Sequence, residues 1–158
     1  CISGLYYYYQ YGIYEGICGK ETYTYKVTRG YMALMRAIQE AMMFYLNKKK
    51  IIIECNPSSN VLIGSFKKYE EHPIFRFNNR KLSNRYEPDA AQLHVCVNTD
   101  DLGVFDTSLE FEYALLYQAL TGQMNDSGRP VYSERDVMEY IDDLREMGIR
   151  ATFPANIG

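Results

Sequence analysis

With 158 residues, 47% of them hydrophobic and 23% charged, the chain has the size and apolar content of one domain with a real core. A formal net charge of −3 speaks against a general nucleic-acid binder, which would carry a basic patch or stripe. No apolar run is long enough to span a bilayer and no signal-peptide pattern is present. Cys1, Cys18, Cys55 and Cys96 form no Cys-x-x-Cys pair, which suits reduced thiols in a cytoplasmic setting. His72 and His94 are too few and too scattered to make a His-rich metal site of their own. The chain opens on Cys1 without an initiator methionine, and nine of its sixteen tyrosines fall in residues 1–31. It reads as a piece of a longer protein.

Residues 1–27 hold Tyr6-Tyr7-Tyr8-Tyr9-Gln10-Tyr11 and the alternating Tyr23-Thr24-Tyr25-Lys26-Val27. Aromatic and β-branched residues punctuated by glycine favour strands or an extended hairpin, or an irregular aromatic packing segment. From Tyr31 the period changes. Tyr31, Leu34, Met35, Ile38, Ala41, Met42 and Tyr45 recur at helical spacing, which predicts a long amphipathic helix with a Met-rich core-packing stripe. Thr28 is its expected N-cap, and Lys48-Lys49-Lys50 places positive charge where the helix dipole favours it.

Ile51-Ile52-Ile53 predicts a parallel strand buried on both faces, and Asn56-Pro57-Ser58-Ser59-Asn60 then has loop chemistry. His72-Pro73 is expected to open a short helix to about Arg80, and 83–91 reads as a loop. Leu93-His94-Val95-Cys96-Val97 is the second strand. Its parity sets Leu93, Val95 and Val97 on one face and His94, Cys96, Asn98 and Asp100 on the other, the polar set facing a barrel lumen. Thr107-Ser108-Leu109-Glu110 is a capping box for a helix to about Leu120, and 123–130 is a loop. Ser133-Glu134-Arg135-Asp136 opens a last helix expected to stop at Gly148.

Strands alternating with helices imply parallel βα units. Asp100-Asp101 directly follow the second strand. Two carboxylates so close repel unless a cation or a donor lies between them, so an acidic pair there marks a metal or substrate site. The bland alternative is a solvated turn or N-cap pair. His94 reads as a packed residue and His72 as a helix-start residue, rather than as ligand and catalytic base.

Four segments, in order, carry a family resemblance. Glu54 through Gly64 resembles the seventh-strand turn of adenosine deaminases, and His72-Pro73 their next helix start. Val97-Asn98-Thr99-Asp100-Asp101 resembles their eighth-strand motif, and Thr107-Ser108-Leu109-Glu110-Phe111-Glu112-Tyr113 the helix after it. The likeness covers 51–120 well, the last helix loosely, and is poor before residue 31. It implies an α/β fold: the C-terminal portion of a TIM (β/α)8 barrel, about strands 7 and 8, in residues 28–158, with 1–27 a Tyr-rich insertion. Large adenosine deaminase-like subunits of bacterial anti-phage systems carry such insertions, and the resemblance extends to them.

The resemblance further implies a zinc-dependent hydrolase that deaminates adenosine or a related purine nucleoside. Asp100 would be a Zn2+ ligand and catalytic residue, and Asp101 would bind the purine ring. Asn98 leans the likeness towards nucleoside rather than nucleotide enzymes. Departures are Asn56 where the family commonly has cysteine, Leu102 where a proline usually follows the acidic pair, and a longer connection over 78–92. The family's first-strand His-x-His, fifth-strand His and Glu, and sixth-strand Gly-His are absent. The segment is therefore expected to need the remainder of the barrel as a partner and to be inactive alone. Competing expectations are a catalytically silent scaffold that assembles through its Tyr-rich segment, and an amidohydrolase for another amine.

Overall fold

The computed structural model describes residues 4, 6–8, 24, 26–82 and 89–152, and the chain divides into two compact units, Cys1–Met35 and Arg36–Gly158. Most of the Tyr-rich segment thus lies outside the described residues. Where it is described, Gly4 and Tyr6–Tyr8 are helical, with the Tyr6 and Tyr7 rings edge to face at 5.8 Å. This corrects the strand expectation at those positions. β propensity expresses packing on a paired sheet, whereas a helix satisfies its backbone within the segment.

The first long helix, α1 (Arg29–Lys48), starts as expected: Thr28 Oγ1 accepts from the Tyr31 amide at 3.1 Å. It closes with the Ile51 amide on the Leu46 carbonyl and the Lys50 amide on the Asn47 carbonyl, with Lys50 left-handed at φ 55°. The core role expected of its apolar stripe does not hold. Met43 is buried, while Leu34, Ile38, Met42 and Tyr45 are each about half exposed. Periodicity defines an apolar face but not what covers it.

Strands β1 (Ile52–Cys55) and β2 (His94–Val97) form a two-stranded parallel sheet with Ile52 opposite His94 and Cys55 opposite Val97. β1 is not buried on both faces as expected: Ile52 and Glu54 are exposed and Cys55 is buried. With one neighbouring strand, only the Ile53/Cys55 side meets cover.

Residues read as a loop form helix α2 (Pro57–Ile63) instead. Proline costs no hydrogen bond at the first helical position, so Pro57 starts the helix rather than breaking a strand. After a 3-10 turn (Tyr69–Glu71), the short helix expected from His72-Pro73 forms as α3 (Ile74–Phe77) but ends at Phe77 rather than near Arg80. Residues 83–88 of the expected 83–91 loop lie outside the described residues. Beyond β2 come α4 (Leu102–Phe105), α5 (Leu109–Thr121) and α6 (Glu134–Ala151). Ser108 rather than Thr107 caps α5, accepting from the Phe111 amide at 3.3 Å, and Ser133 caps α6 as expected, accepting from Asp136 at 3.1 Å. Between them Met124 bridges Pro130 across a turn with Gly128 at φ 71°.

The core gathers Ile74, Phe75, Leu93, Val95, Leu116, Leu120, Val137, Tyr140 and Leu144. The parity expected of β2 is realised, Leu93, Val95 and Val97 being buried. Polar bonds tie the layers: Tyr140 Oη donates to the Asn78 carbonyl at 2.9 Å, and Asn78 Nδ2 to the Leu93 carbonyl at 2.9 Å.

Candidate functional site at the ends of the two strands

The Asn98 amide donates to the Cys55 carbonyl at 2.9 Å, prolonging the ladder one step beyond β2. The chain then turns sharply. Asp100 takes φ 59°, a left-handed conformation rare for a residue with a side chain. Strain of this kind at the end of a strand persists only where its surroundings hold it. Here Ser59, buried in α2, donates its hydroxyl to Asp100 Oδ2 at 2.7 Å, while the Asp100 side chain remains open to solvent.

Asp101 is committed differently. Its Oδ1 accepts from the Gly103 and Val104 amides at 2.9 and 3.0 Å, so it is the N-cap of α4. No bond to its other carboxylate oxygen occurs among the described residues. The two aspartates therefore do not share one environment: one meets a hydroxyl donor, the other a helix start.

Behind Asp100, the first turn of α2 is tied to its surroundings by several bonds. Glu112 of α5 is fully buried; its Oε2 accepts from the Ser58 amide at 2.9 Å and its Oε1 from the Thr107 hydroxyl at 2.6 Å. Ser58 Oγ lies 3.2 Å from Tyr69 Oη. Asn60 Oδ1 accepts from His72 Nε2 at 3.0 Å, while His72 Nδ1 accepts from the Ile74 amide at 3.1 Å, which fixes the tautomer with its proton on Nε2. Burial pushes the His72 ring down to about 4, so it is neutral and structural near neutrality, as expected of a helix-start residue.

The other polar residues do not converge on Asp100. His94 Nε2 donates to the Met147 carbonyl at 2.8 Å, turning the ring to α6 rather than to a lumen. The Cys55 thiol is pushed up to about 12 by burial, with Cys96 and Glu54 acting in the same sense, and both cysteines are free. An apolar cavity of about 370 Å3 lies between α1, β1 and α3, lined by Met42, Met43, Ile53, Phe77 and Leu93 among others. None of its lining residues belongs to the Asp100 cluster.

Among the described residues, no three His, Cys, Asp or Glu side chains come together as metal ligands. Asp100 offers one carboxylate, one oxygen of which already accepts from Ser59. The residues present do not by themselves make a zinc site. Nor is any described helix long and apolar enough to cross a membrane.

Sequence reasoning named Asp100 and Asp101 but gave no role to Ser59 or Glu112. Ser59 lay in a stretch read as loop, and Glu112 acts across 54 residues of sequence, a distance no local pattern spans. The one signal available was that both fall within the motifs that resemble the family.

The structure thus defines an α/β chain whose two parallel strands end side by side in an acidic turn braced by a short helix. Residues 26–129 match the family model described as adenosine deaminase, and the chain belongs to that family. It is 33% identical over 87 residues to an adenosine deaminase of Plasmodium gallinaceum, covering 55% of this chain and 21% of the relative. With an adenosine deaminase of Plasmodium vivax (strain Salvador I) it shares 32% identity over 101 residues, 64% of this chain and 25% of the relative. An adenosine deaminase-like protein of Drosophila pseudoobscura pseudoobscura is 43% identical over 68 residues, 43% of this chain and 17% of the relative. The alignments thus reach about a sixth to a quarter of these relatives' length and no solved structure matches.

Proposed function

We propose that this chain forms strands seven and eight, with their helices, of a (β/α)8-barrel hydrolase. The enzyme would deaminate a purine nucleoside, replacing the exocyclic amine by oxygen from water and releasing ammonia. Family membership supports the reaction class. The observation that carries the assignment within this chain is Asp100: a solvent-open carboxylate at the end of β2, on a left-handed backbone, gripped by a buried serine. Lys50 and Asp106 are left-handed too, so it is the buried Ser59 hydroxyl on the Asp100 carboxylate that sets this turn apart.

On this reading Asp100 is the single metal ligand the chain supplies, the remaining ligands coming from the rest of the barrel. With Oδ2 held by Ser59, Oδ1 is the oxygen left for the metal. Asp101, locked through Oδ1 as the cap of α4, presents Oδ2 to a purine ring nitrogen, with one proton shared between them. Capping and substrate binding use different oxygens of one carboxylate and are compatible.

The test compares Asp100→Ala with Asp101→Ala in the deaminase that carries this segment, reading zinc content and kcat/KM together. Asp100→Ala should abolish deamination and lower the zinc content of a folded protein. Asp101→Ala should keep its zinc and lose about 2–4 kcal/mol of transition-state stabilisation, tens- to several-hundred-fold in kcat/KM. Normal zinc and normal turnover in Asp100→Ala would sink the assignment. Near-normal kcat/KM in Asp101→Ala for every purine nucleoside tried would leave Asp101 a helix cap and nothing more.

A further inference from the structure

Helix α2 is capped in an unusual way. Its N-cap residue, Asn56, makes no side-chain cap bond, although asparagine is among the best residues for that task. The Ser58 amide bonds instead to Glu112, 54 residues away on α5. Glu112 is 0% exposed and forms no ion pair among the described residues. A buried carboxylate without a counter-charge is costly unless donors satisfy both oxygens, and here one donor meets each.

Those two donors come from different strand-end loops. Ser58 belongs to the first turn of α2, which follows β1, and Thr107 to the segment after β2 and α4. The residue after Ser58 is Ser59, whose hydroxyl holds Asp100. The bonds therefore close a ring: Asp100 runs through α4 to Thr107, Thr107 to Glu112, Glu112 to Ser58, and Ser59 back to Asp100. Each strand-end loop is fixed relative to the other through one carboxylate.

We propose that Glu112 is a positioning residue for the Asp100 carboxylate: by accepting from Ser58 and Thr107 at once, it sets the first turn of α2 where the Ser59 hydroxyl meets Asp100. This rests on the reading of Asp100 as a site residue. Glutamate suits the task because both its oxygens accept. A glutamine keeps an acceptor for Ser58 but turns a donor towards Thr107, so that hydroxyl bond must reverse.

The test is NMR on the deaminase that carries this segment, with isotope labels confined to the segment, following the Asp100 carboxyl carbon, the Ser59 Cβ and exchange of the Ser58 amide, and it needs no turnover. Glu112→Ala should speed Ser58 exchange by about tenfold or more, the loss of one buried hydrogen bond to a charged group, and should displace the Asp100 and Ser59 resonances together. Glu112→Gln should restore much of the Ser58 protection with a smaller displacement. Tyr140→Phe, which removes a buried hydrogen bond to Asn78, should leave all three signals in place despite a comparable loss of stability.

Unmoved Asp100 and Ser59 signals in folded Glu112→Ala would overturn the proposal, as would equal displacement in Tyr140→Phe. If Glu112→Ala does not fold, Glu112→Gln decides: the reversed Thr107 bond must still displace Ser59 and Asp100, and unmoved signals refute the link. A deaminase indifferent to Asp100→Ala would refute the functional reading while this response remained, so the two failures are distinct.

Discussion

His72 is 2% exposed, one ring nitrogen accepting from the Ile74 amide and the other donating to Asn60. Its folded pKa of about 4 lies below the ordinary 6.5, so the unfolded chain takes up the proton first. The stability it contributes is complete above about pH 6.5 and is lost as pH falls from there to about 4. Between pH 7 and 4.5 this amounts to about 2–3 kcal/mol. Urea unfolding at those two pH values should show that loss in the native chain and a markedly flatter dependence in His72→Gln; identical slopes would reject the buried-imidazole account. The thiols offer a second check. Cys55, buried and pushed up to about 12, should resist iodoacetamide in the folded chain, while half-exposed Cys96 reacts first. Labelling of Cys55 ahead of Cys96, read by peptide mass spectrometry, would contradict the packing at the end of β1.

Among the elements, α6 illustrates how a local stop signal is overruled. Gly148 was expected to end it, yet the helix runs on to Ala151 and closes with the Thr152 amide on the Ile149 carbonyl; Met147, just before the glycine, is buried against the core. A Cβ on Gly148 would meet only Tyr113 Oη at 3.5 Å, an ordinary contact. Gly148→Ala should therefore stabilise the chain by about 0.5–1 kcal/mol through helix propensity and a less flexible unfolded chain, measured as a higher urea midpoint. Destabilisation would show that α6 needs its glycine. The same contrast runs through the fold. The alternation of β2, the Thr28 and Ser133 caps and the helices at α1, α5 and α6 were legible, because each is written in neighbouring residues. Helix α2 was not: Pro57, Ser58, Ser59 and Asn60 are turn formers, and what makes them helical is a carboxylate on α5 and a hydroxyl on Tyr69. At the site, Asp100 and Asp101 could be named from their motif. That Asp101 caps α4 while Asp100 is held by Ser59 depends on backbone angles and a contact across 41 residues, which the letters do not carry.

The whole molecule is marked by what it leaves uncovered. Among the described residues, each strand of the parallel sheet has a neighbour on one side only, and parallel sheets ordinarily occur with both faces covered. Ile38, Met42, Ile51 and Ile52 are each roughly 40–50% exposed, giving apolar surface beside an open strand edge. Both features suit a segment that completes its sheet and buries α1 against further strands and helices, as the proposed barrel requires. Two consequences follow for the 158-residue chain purified alone. Apolar surface and unpaired edges favour association, so light scattering after size exclusion should report oligomers or aggregates that grow with concentration. Added zinc should bind no more tightly than to any exposed carboxylate and should not elicit deamination of adenosine or deoxyadenosine, since a single aspartate holds no metal where three or four ligands are usual. A stable monomer with tight one-to-one zinc binding, or turnover free of host enzyme, would mean that the chain builds a complete site unaided. The proposed division of the active site between this segment and the rest of a barrel would then have to be abandoned.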